Sequence, residues 1–442
     1  MASRVKEIHQ SIASNPFNKI AVMVLRVIIG ATFIVSGFVK AIDPMGSVYK
    51  FQEYIAALQL TNLAGSELVL AFAVPALELT LGVMLLTGCL RRSTPIMLLL
   101  LMAVMLPLTY FLATTNAVAD CGCFGDAFKL TNWQTFWKNV ALTVGLIYLV
   151  FQNKSVPCIY GPIIQWIVML LTFALSIAIS VIGYSTQPLL DFRPYKVGTH
   201  IGSKLKPVGE DDFVFIYEKD GRQQHFSIDS VPDEEDGWTF IDRKKVTPDL
   251  SPAQKAELNA MSIYDNGTYI TDEVLDSTTN QMLLLIPDLP KVNRAYAFVL
   301  NDLAKACADK GATLYAITSA SQQQIEEWTK LTQPTYPIYT GDDSEIKMLA
   351  RGNPAIAYIE NGTVKWKRTF SSFPAKQLLS STVPLARLSD DIAPSYQLWE
   401  FLWPYMLIMI ALLFVNRIYP VVNYIVDKFK KKDEETQSTE DI

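Results

Sequence analysis

Asp120-Cys-Gly-Cys-Phe-Gly-Asp126 stands between two stretches, Thr94 to Thr114 and Thr135 to Phe151, each long and apolar enough to cross a bilayer. A polar loop carrying two thiols is thereby held at a membrane surface. Which surface decides the chemistry. Vicinal cysteines facing an oxidising compartment cycle between dithiol and disulfide, whereas cytosolic ones stay reduced or bind metal.

Outward from that loop, the whole chain reads as a membrane protein. Its 442 residues are 50% hydrophobic and only 18% charged, with mean hydropathy +0.22, which is too apolar for a soluble protein of this size. The net charge of -5 leaves no basic footprint for nucleic acid, so lipid is the expected surrounding. Six windows have the required length: Ile20 to Ala41, Glu67 to Gly88, Thr94 to Thr114, Thr135 to Phe151, Gly161 to Tyr184 and Leu398 to Tyr419. The first lacks a small-residue cleavage site and is expected to remain as an anchor.

Basic residues set the orientation. Arg4, Lys6 and Lys19 precede the first window, Arg91 and Arg92 follow the second, and Lys428, Lys430, Lys431 and Lys432 follow the sixth. Lysine and arginine collect on the cytosolic side. This predicts an inner-membrane protein of a bacterium with both termini cytosolic. It also puts the Asp43 to Ser66 loop, the paired cysteines and residues 185–397 in the periplasm. Cys89 and Cys158 then fall at cytosolic span ends and read as packing residues. Cys307, on the apolar face of an amphipathic helix, reads as buried.

Charges inside such windows are costly and are usually paired or functional, and three of them call for explanation: Arg26, Lys40 and Glu78. Arg26 and Lys40 are placed to snorkel to opposite surfaces. Glu78, beside Pro75, has no such escape; its simplest partner is Arg26, in a buried ion pair that fixes helix register, with a proton or quinone role as the alternative.

Arg26-Val-Ile-Ile-Gly-Ala-Thr-Phe-Ile-Val-Ser-Gly-Phe-Val-Lys40 followed by Asp43-Pro44, then Pro75-Ala-Leu-Glu78-Leu-Thr-Leu-Gly82, then Asp120-Cys-Gly-Cys-Phe-Gly125 resemble, in that order, segments of the DoxX and MauE membrane families. The resemblance covers about the first 150 residues and implies a four-helix unit over 1–155. For the MauE group it implies help with disulfide handling in the cell envelope beside a thioredoxin-like partner. For DoxX relatives it implies quinone-coupled sulfur oxidation, which makes a membrane quinone the cofactor to consider. This chain adds a fifth span (156–184), a large exported region and a sixth span (398–419).

Within the exported part, 185–257 reads as a β-rich linker with a hairpin about Asp220-Gly221. Residues 258–390 alternate strands and helices, the pattern of an α/β domain. Their succession resembles the thioredoxin-like fold, which implies a cis Pro354 ahead of a late strand. At the end of the first core strand, where that fold carries Cys-x-x-Cys, the chain reads Ile286-Pro-Asp-Leu-Pro290. Without a cysteine there, the helix start has no thiolate to stabilise, and the domain is expected to dock a protein partner. Residues 420–442 read as a cytosolic tail, polar and acidic after its membrane-proximal lysines. The expected fold class is therefore all-α in the membrane with a soluble thioredoxin-like α/β domain.

A disulfide closed across one glycine forms a strained ring that is easily reduced. Gly122 tolerates the dihedrals this needs, Phe124-Gly125 suggests a tight turn, and Asp120 and Asp126 oppose thiolate formation electrostatically. Cys121 and Cys123 are thus candidates for redox exchange. A loop staple is the structural alternative. Two thiols one residue apart, with no nearby histidine, make too small a donor set for zinc, and no metal site is expected. The sequence points to thiol-redox support or protein maturation in the periplasm together with a periplasmic or membrane protein partner, and alternatively to a scaffold of an envelope complex.

Overall fold

The computed structural model describes residues 16–118, 120–152, 158–201, 213–219, 222–226, 238–245, 261–275, 278–376, 383–388 and 396–418. Arg4 and Lys6, the Asp220-Gly221 turn and the lysine-rich tail lie outside the described residues. The chain divides into two compact units, Met1–Phe192 with Ile392–Ile442, and Arg193–Asp391.

The first unit is helical. Its elements are α1 (Pro16–Ile42), α2 (Pro44–Ala57), α3 (Glu67–Thr87), α4 (Ser93–Thr115), α5 (Asn132–Gln152), α6 (Pro162–Ser185) and α10 (Tyr396–Ile418). Five of these, α1, α3, α4, α6 and α10, are long and apolar enough to cross a membrane, so this is a multi-pass membrane protein. The fourth expected window is helical as well, but α5 carries Asn132, Gln134, Lys138, Asn139 and Gln152 and does not reach the same apolarity. Several of its polar groups are satisfied by neighbouring segments. Asn132 Nδ2 donates to Val118 O (3.0 Å), Asn139 Nδ2 to Thr109 Oγ1 (3.3 Å), and Gln152 Oε1 accepts from Asn18 Nδ2 (3.1 Å). Backbone and side-chain polar groups need such partners where water is excluded.

Helices in lipid gain little from apolar contact with one another and rely on close packing at small residues. Helices α1 and α3 show how. A Cβ added to Gly37 would lie 2.8 Å from Pro75 O, and one on Gly82 would lie 2.7 Å from Ile34 N. The two backbones meet only because these positions have no side chain.

The segment Asp43 to Ser66, expected as a loop, contains α2. Asp43 caps it, accepting from Gly46 N–H at 2.9 Å, and Pro44 occupies its first turn. This helix brings Lys50 and Tyr54 to the cysteine loop.

The second unit holds two sheets. Strands β1 (Phe213–Lys219), β2 (Arg222–Phe226) and β3 (Thr239–Lys245) form an antiparallel sheet in the order β2-β1-β3. The larger sheet has seven strands: β4 (Ile263–Asp265), β5 (Thr268–Tyr269), β6 (Asn280–Ile286), β7 (Thr313–Thr318), β8 (Ile338–Gly341), β9 (Ala355–Glu360) and β10 (Thr363–Thr369). Its order is β10-β9-β6-β7-β8-β4-β5, with β6, β7 and β8 parallel and β9 antiparallel to both β6 and β10. Helices α7 (Tyr296–Asp309) and α8 (Gln322–Thr332) cover one face, where Leu284, Leu300 and Ile356 are buried. The short α9 (Asp343–Leu349) and the segment around Tyr195 and Ile201 cover the other, with Leu283, Leu285 and Ile359. Alternate residues of β6 point into opposite cores, as a strand buried on both faces requires. Cys307 is fully buried in the first of these cores.

Candidate functional site

The register of α1 against α3 decides which charges meet. The helices run antiparallel, with Gly37 beside Leu79 and Gly30 beside Gly82. Lys40 therefore reaches Glu78, and Arg26 lies at the other end, beside Gly88. Lys40 Nζ is 2.7 Å from Glu78 Oε1 and 2.8 Å from Oε2. Both side chains are largely buried, at 12% and 7% exposure.

This corrects the expected Arg26–Glu78 pair. From Arg26 to Lys40 a helix rises about 21 Å at 1.5 Å per residue, so only one end of α1 can face Glu78. Arg26 instead donates from Nε to Leu85 O (3.0 Å) and from Nη2 to Leu86 O (3.2 Å), satisfying carbonyls in the last turn of α3. Nor does Lys40 snorkel to a surface; it is held by the carboxylate.

The cysteine loop rests on this pair. Ser36 Oγ is 2.8 Å from Glu78 Oε2 and 2.8 Å from Cys123 O, so one hydroxyl links the intramembrane carboxylate to the backbone of the loop. Tyr54 O–H donates to Cys121 O. Gly122 N–H donates to Asp120 Oδ1 (2.9 Å), and Gly125 N–H to Gly122 O (3.0 Å), which closes the turn. Gly122 and Gly125 have φ of +58° and +51°, left-handed conformations that suit glycine. Phe124 stacks edge-on with Phe128 and lies under the Lys138 ammonium, 4.5 Å from its ring centroid. Asp126 is partly buried at the loop's end.

The two sulfurs are free and stand 3.1 Å apart. Cys121 is buried at 5% exposure among Leu112, Val118 and Tyr54, and Cys123 is half-buried. The Cys121 thiol is pushed up, first by donating to Cys123 and then by burial. Cys123 is pushed down because it accepts that bond; burial opposes the shift, while the positive charges of Lys138 and Lys40 reinforce it. The expected electrostatic opposition from Asp120 is offset, since Lys50 Nζ lies 3.5 Å from its Oδ1 and the Gly122 amide also binds it. The loop thus presents one thiol with thiolate character and, beside it, a second that keeps its proton.

Among the residues that build this site, Ser36, Lys50, Tyr54 and Lys138 escaped the sequence reading. The Asp43-Pro44 cap signal marks the start of α2, and Lys50 and Tyr54 stand four apart on that helix, one turn that puts both on one face. No pattern in the sequence pairs Ser36 with the loop. Among the described residues no group of three or more His, Cys, Asp or Glu side chains could hold a metal ion.

In the second unit, Pro354 follows a cis peptide bond from Asn353. Asn353 is bonded to the Ile286–Pro290 stretch in both directions: its Oδ1 accepts from Asp288 N–H (3.1 Å) and its Nδ2 donates to Asp288 O (2.7 Å).

The family model of the methylamine utilisation protein MauE matches residues 18–152. A domain of unknown function (DUF8463) matches residues 212–247, the three-stranded sheet. No curated protein matches the chain. No solved structure matches it either. Residues 18–152 therefore form a MauE-like membrane region, and it contains the cysteine loop and the Lys40–Glu78 pair.

Proposed function

We propose that this MauE-like protein exchanges thiols and disulfides during protein maturation in the periplasm, with Cys121 and Cys123 as the exchanging pair. The observation that carries this reading is the 3.1 Å separation of the two sulfurs, one buried and one half-exposed. In the dithiol state the Cys123 thiolate attacks one sulfur of a client disulfide, and the leaving client sulfur takes up a proton. Cys121 then gives up its proton and attacks the Cys123 sulfur of the mixed disulfide, releasing the second client thiol. Two electrons pass to the client, and the reverse sequence oxidises it. A membrane quinone is the acceptor that the DoxX resemblance supplies for electrons arriving at the loop.

Several observations support this topology. Residues at the end of α6 and the start of α10 gather at the cysteine end of the helical unit: Leu189 N–H donates to Ile42 O (3.2 Å), and Ala41, Ile42, Ile179, Leu189 and Leu398 share one cluster. Arg91 and Arg92 follow α3 at the opposite end. With the positive end cytosolic, the cysteine loop and residues 193–391 face the periplasm across the inner membrane.

The docking role of the second unit rests on its sheet. The order β10-β9-β6-β7, with β6 and β7 parallel and β9 reversed, supports reading this sheet as a thioredoxin-like core. In the proposal this domain presents clients or a protein partner to the membrane loop. The test is thiol trapping of the full chain in native membranes after mild reduction. Cys121 and Cys123 should interconvert between labelled dithiol and unlabelled disulfide as the redox buffer is varied. Thiols that never oxidise, or a disulfide that resists reduction, would overturn the reading.

One observation favours a second reading, an envelope scaffold. The only cysteine of residues 193–391 is Cys307, buried in the core, so that unit has no exchange chemistry of its own. A Cys121→Ser, Cys123→Ser double variant separates the two, since a scaffold keeps its partners and its cellular phenotype while an exchange protein loses the phenotype.

A further inference from the structure

At the end of the bundle opposite the Cys121–Cys123 loop, a second pair of thiols meets. Cys89 follows α3, and Cys158 precedes α6, beyond the region matched to MauE. Their sulfurs are 4.0 Å apart. In the sequence the two read as packing residues at cytosolic span ends, and 69 positions separate them.

The juxtaposition is built by a specific set of bonds. Ile159 N–H donates to Thr87 O (3.2 Å), laying the segment before α6 alongside the turn after α3. Gln165 Oε1 accepts from Leu90 N–H (2.8 Å). Asn416 of α10 clamps the same segment, accepting from Gly161 N–H (2.7 Å) and donating to Ile159 O (3.0 Å). Residues on three helices thus converge to hold two short loops in register, and the cysteines stand where those loops touch.

The groups around the sulfurs suit exchange. Thr87 Oγ1 donates to Cys89 Sγ (3.2 Å), and Tyr160 N–H donates to Cys158 Sγ (3.4 Å). The Arg26 guanidinium, fixed on Leu85 O and Leu86 O, adds positive charge nearby. Cys89 is wholly buried, whereas Cys158 is half-buried and open to attack.

We infer that Cys89 and Cys158 form a second dithiol–disulfide site, distinct from the membrane loop at Cys121, whose substrate class is a low-molecular-weight disulfide; at the end proposed above as cytosolic the pair rests as the dithiol and is oxidised only as that disulfide accumulates. Cys158 attacks one sulfur of the disulfide, whose leaving thiolate takes the Cys158 proton. Cys89 then gives its proton to the second leaving sulfur as it attacks Cys158 Sγ. The two protein thiols become one disulfide, and the small disulfide becomes two thiols. The bond formed joins the MauE-like region covalently to the segment carrying α6.

The probe is glutathione disulfide, applied with glutathione at graded ratios to the full chain in lipid nanodiscs, followed by alkylation and peptide mass analysis. A linked Cys89–Cys158 peptide is expected to accumulate with the ratio and to disappear on reduction. In C89S, Cys158 should be trapped as a mixed disulfide, about tenfold more than Cys89 is in C158S, because only Cys158 is accessible. The wild-type linkage needs no variant to fold. Cys89 and Cys158 remaining separately alkylated at every ratio would overturn the inference, as would equal trapping of both cysteines.

Discussion

Lys40 and Glu78 form a two-pronged ion pair within the helical bundle, and Ser36 joins its carboxylate to the carbonyl of Cys123. The charge pair is thus the floor on which the cysteine loop sits. Its energetics differ from those of a surface pair, since each charge loses most of its water and, among the described residues, is compensated by the other, with Ser36 also bonded to the carboxylate.

Removing one partner strands the other. Glu78→Leu or Lys40→Met should each destabilise the helical unit by about 3–5 kcal/mol, while the Lys40→Met, Glu78→Leu double variant should be closer to the parent than either single change. Thermal unfolding in nanodiscs reads this. A double variant as unstable as the sum of the singles would show that the pair does not act as a unit.

Close approach of α1 and α3 depends on a missing side chain. Gly37→Ala would put a methyl 2.8 Å from Pro75 O and 2.9 Å from Leu79 Cα, both backbone atoms that have no rotamer to adjust. We expect a loss of about 1–3 kcal/mol. The same thermal measurement checks it, and an unchanged midpoint would show that the two backbones can part without cost.

Tyr54 holds the loop from α2 by donating to Cys121 O. Tyr54→Phe keeps the ring and leaves that carbonyl without its donor, a cost of about 1–3 kcal/mol. The effect should be local, with faster amide hydrogen exchange at residues 121–125 and little change in α4 or α5. Unchanged exchange in the loop would mean that the hydroxyl carries no load there.

Reactivity of the two loop cysteines should be unequal and dependent on pH. A thiol held down by an accepted bond and by lysines deprotonates at lower pH than an ordinary cysteine, so Cys123 alkylation should rise with pH and level off below the usual thiol range. Cys121→Ala removes the donor and Lys138→Met removes a charge. Each should move the Cys123 midpoint upward. Stopped-flow alkylation with mass assignment measures this, and a midpoint at or above the free-thiol value would contradict the proposed polarity of the pair.

Much of the fold was legible because bilayer crossing writes itself in length and composition. Helices α1, α3, α4, α6 and α10 coincide with apolar windows of spanning length. The alternation of strands and helices over 258–390 is legible too, because the apolar run Gln281–Ile286 marks β6 and the Asn361-Gly362 turn joins β9 to β10. Helix α2 is harder to read, because its moderate apolarity neither spans a membrane nor alternates cleanly, although Asp43-Pro44 marks its start.

The sequence by itself determined which residue types lie where: Arg26, Lys40 and Glu78 within apolar segments, two cysteines one glycine apart, and a later mixed strand-and-helix region with no Cys-x-x-Cys. Tertiary structure alone decided who meets whom. A helix places its residues by a rise and a rotation that local sequence fixes, but the register between two helices is set by where their backbones can touch. Here Gly37 and Gly82 set it, giving Glu78 to Lys40 and leaving Arg26 to the carbonyls of Leu85 and Leu86. The meeting of Cys89 with Cys158 likewise arises from loop-to-loop hydrogen bonds between distant segments, which no spacing along the chain encodes.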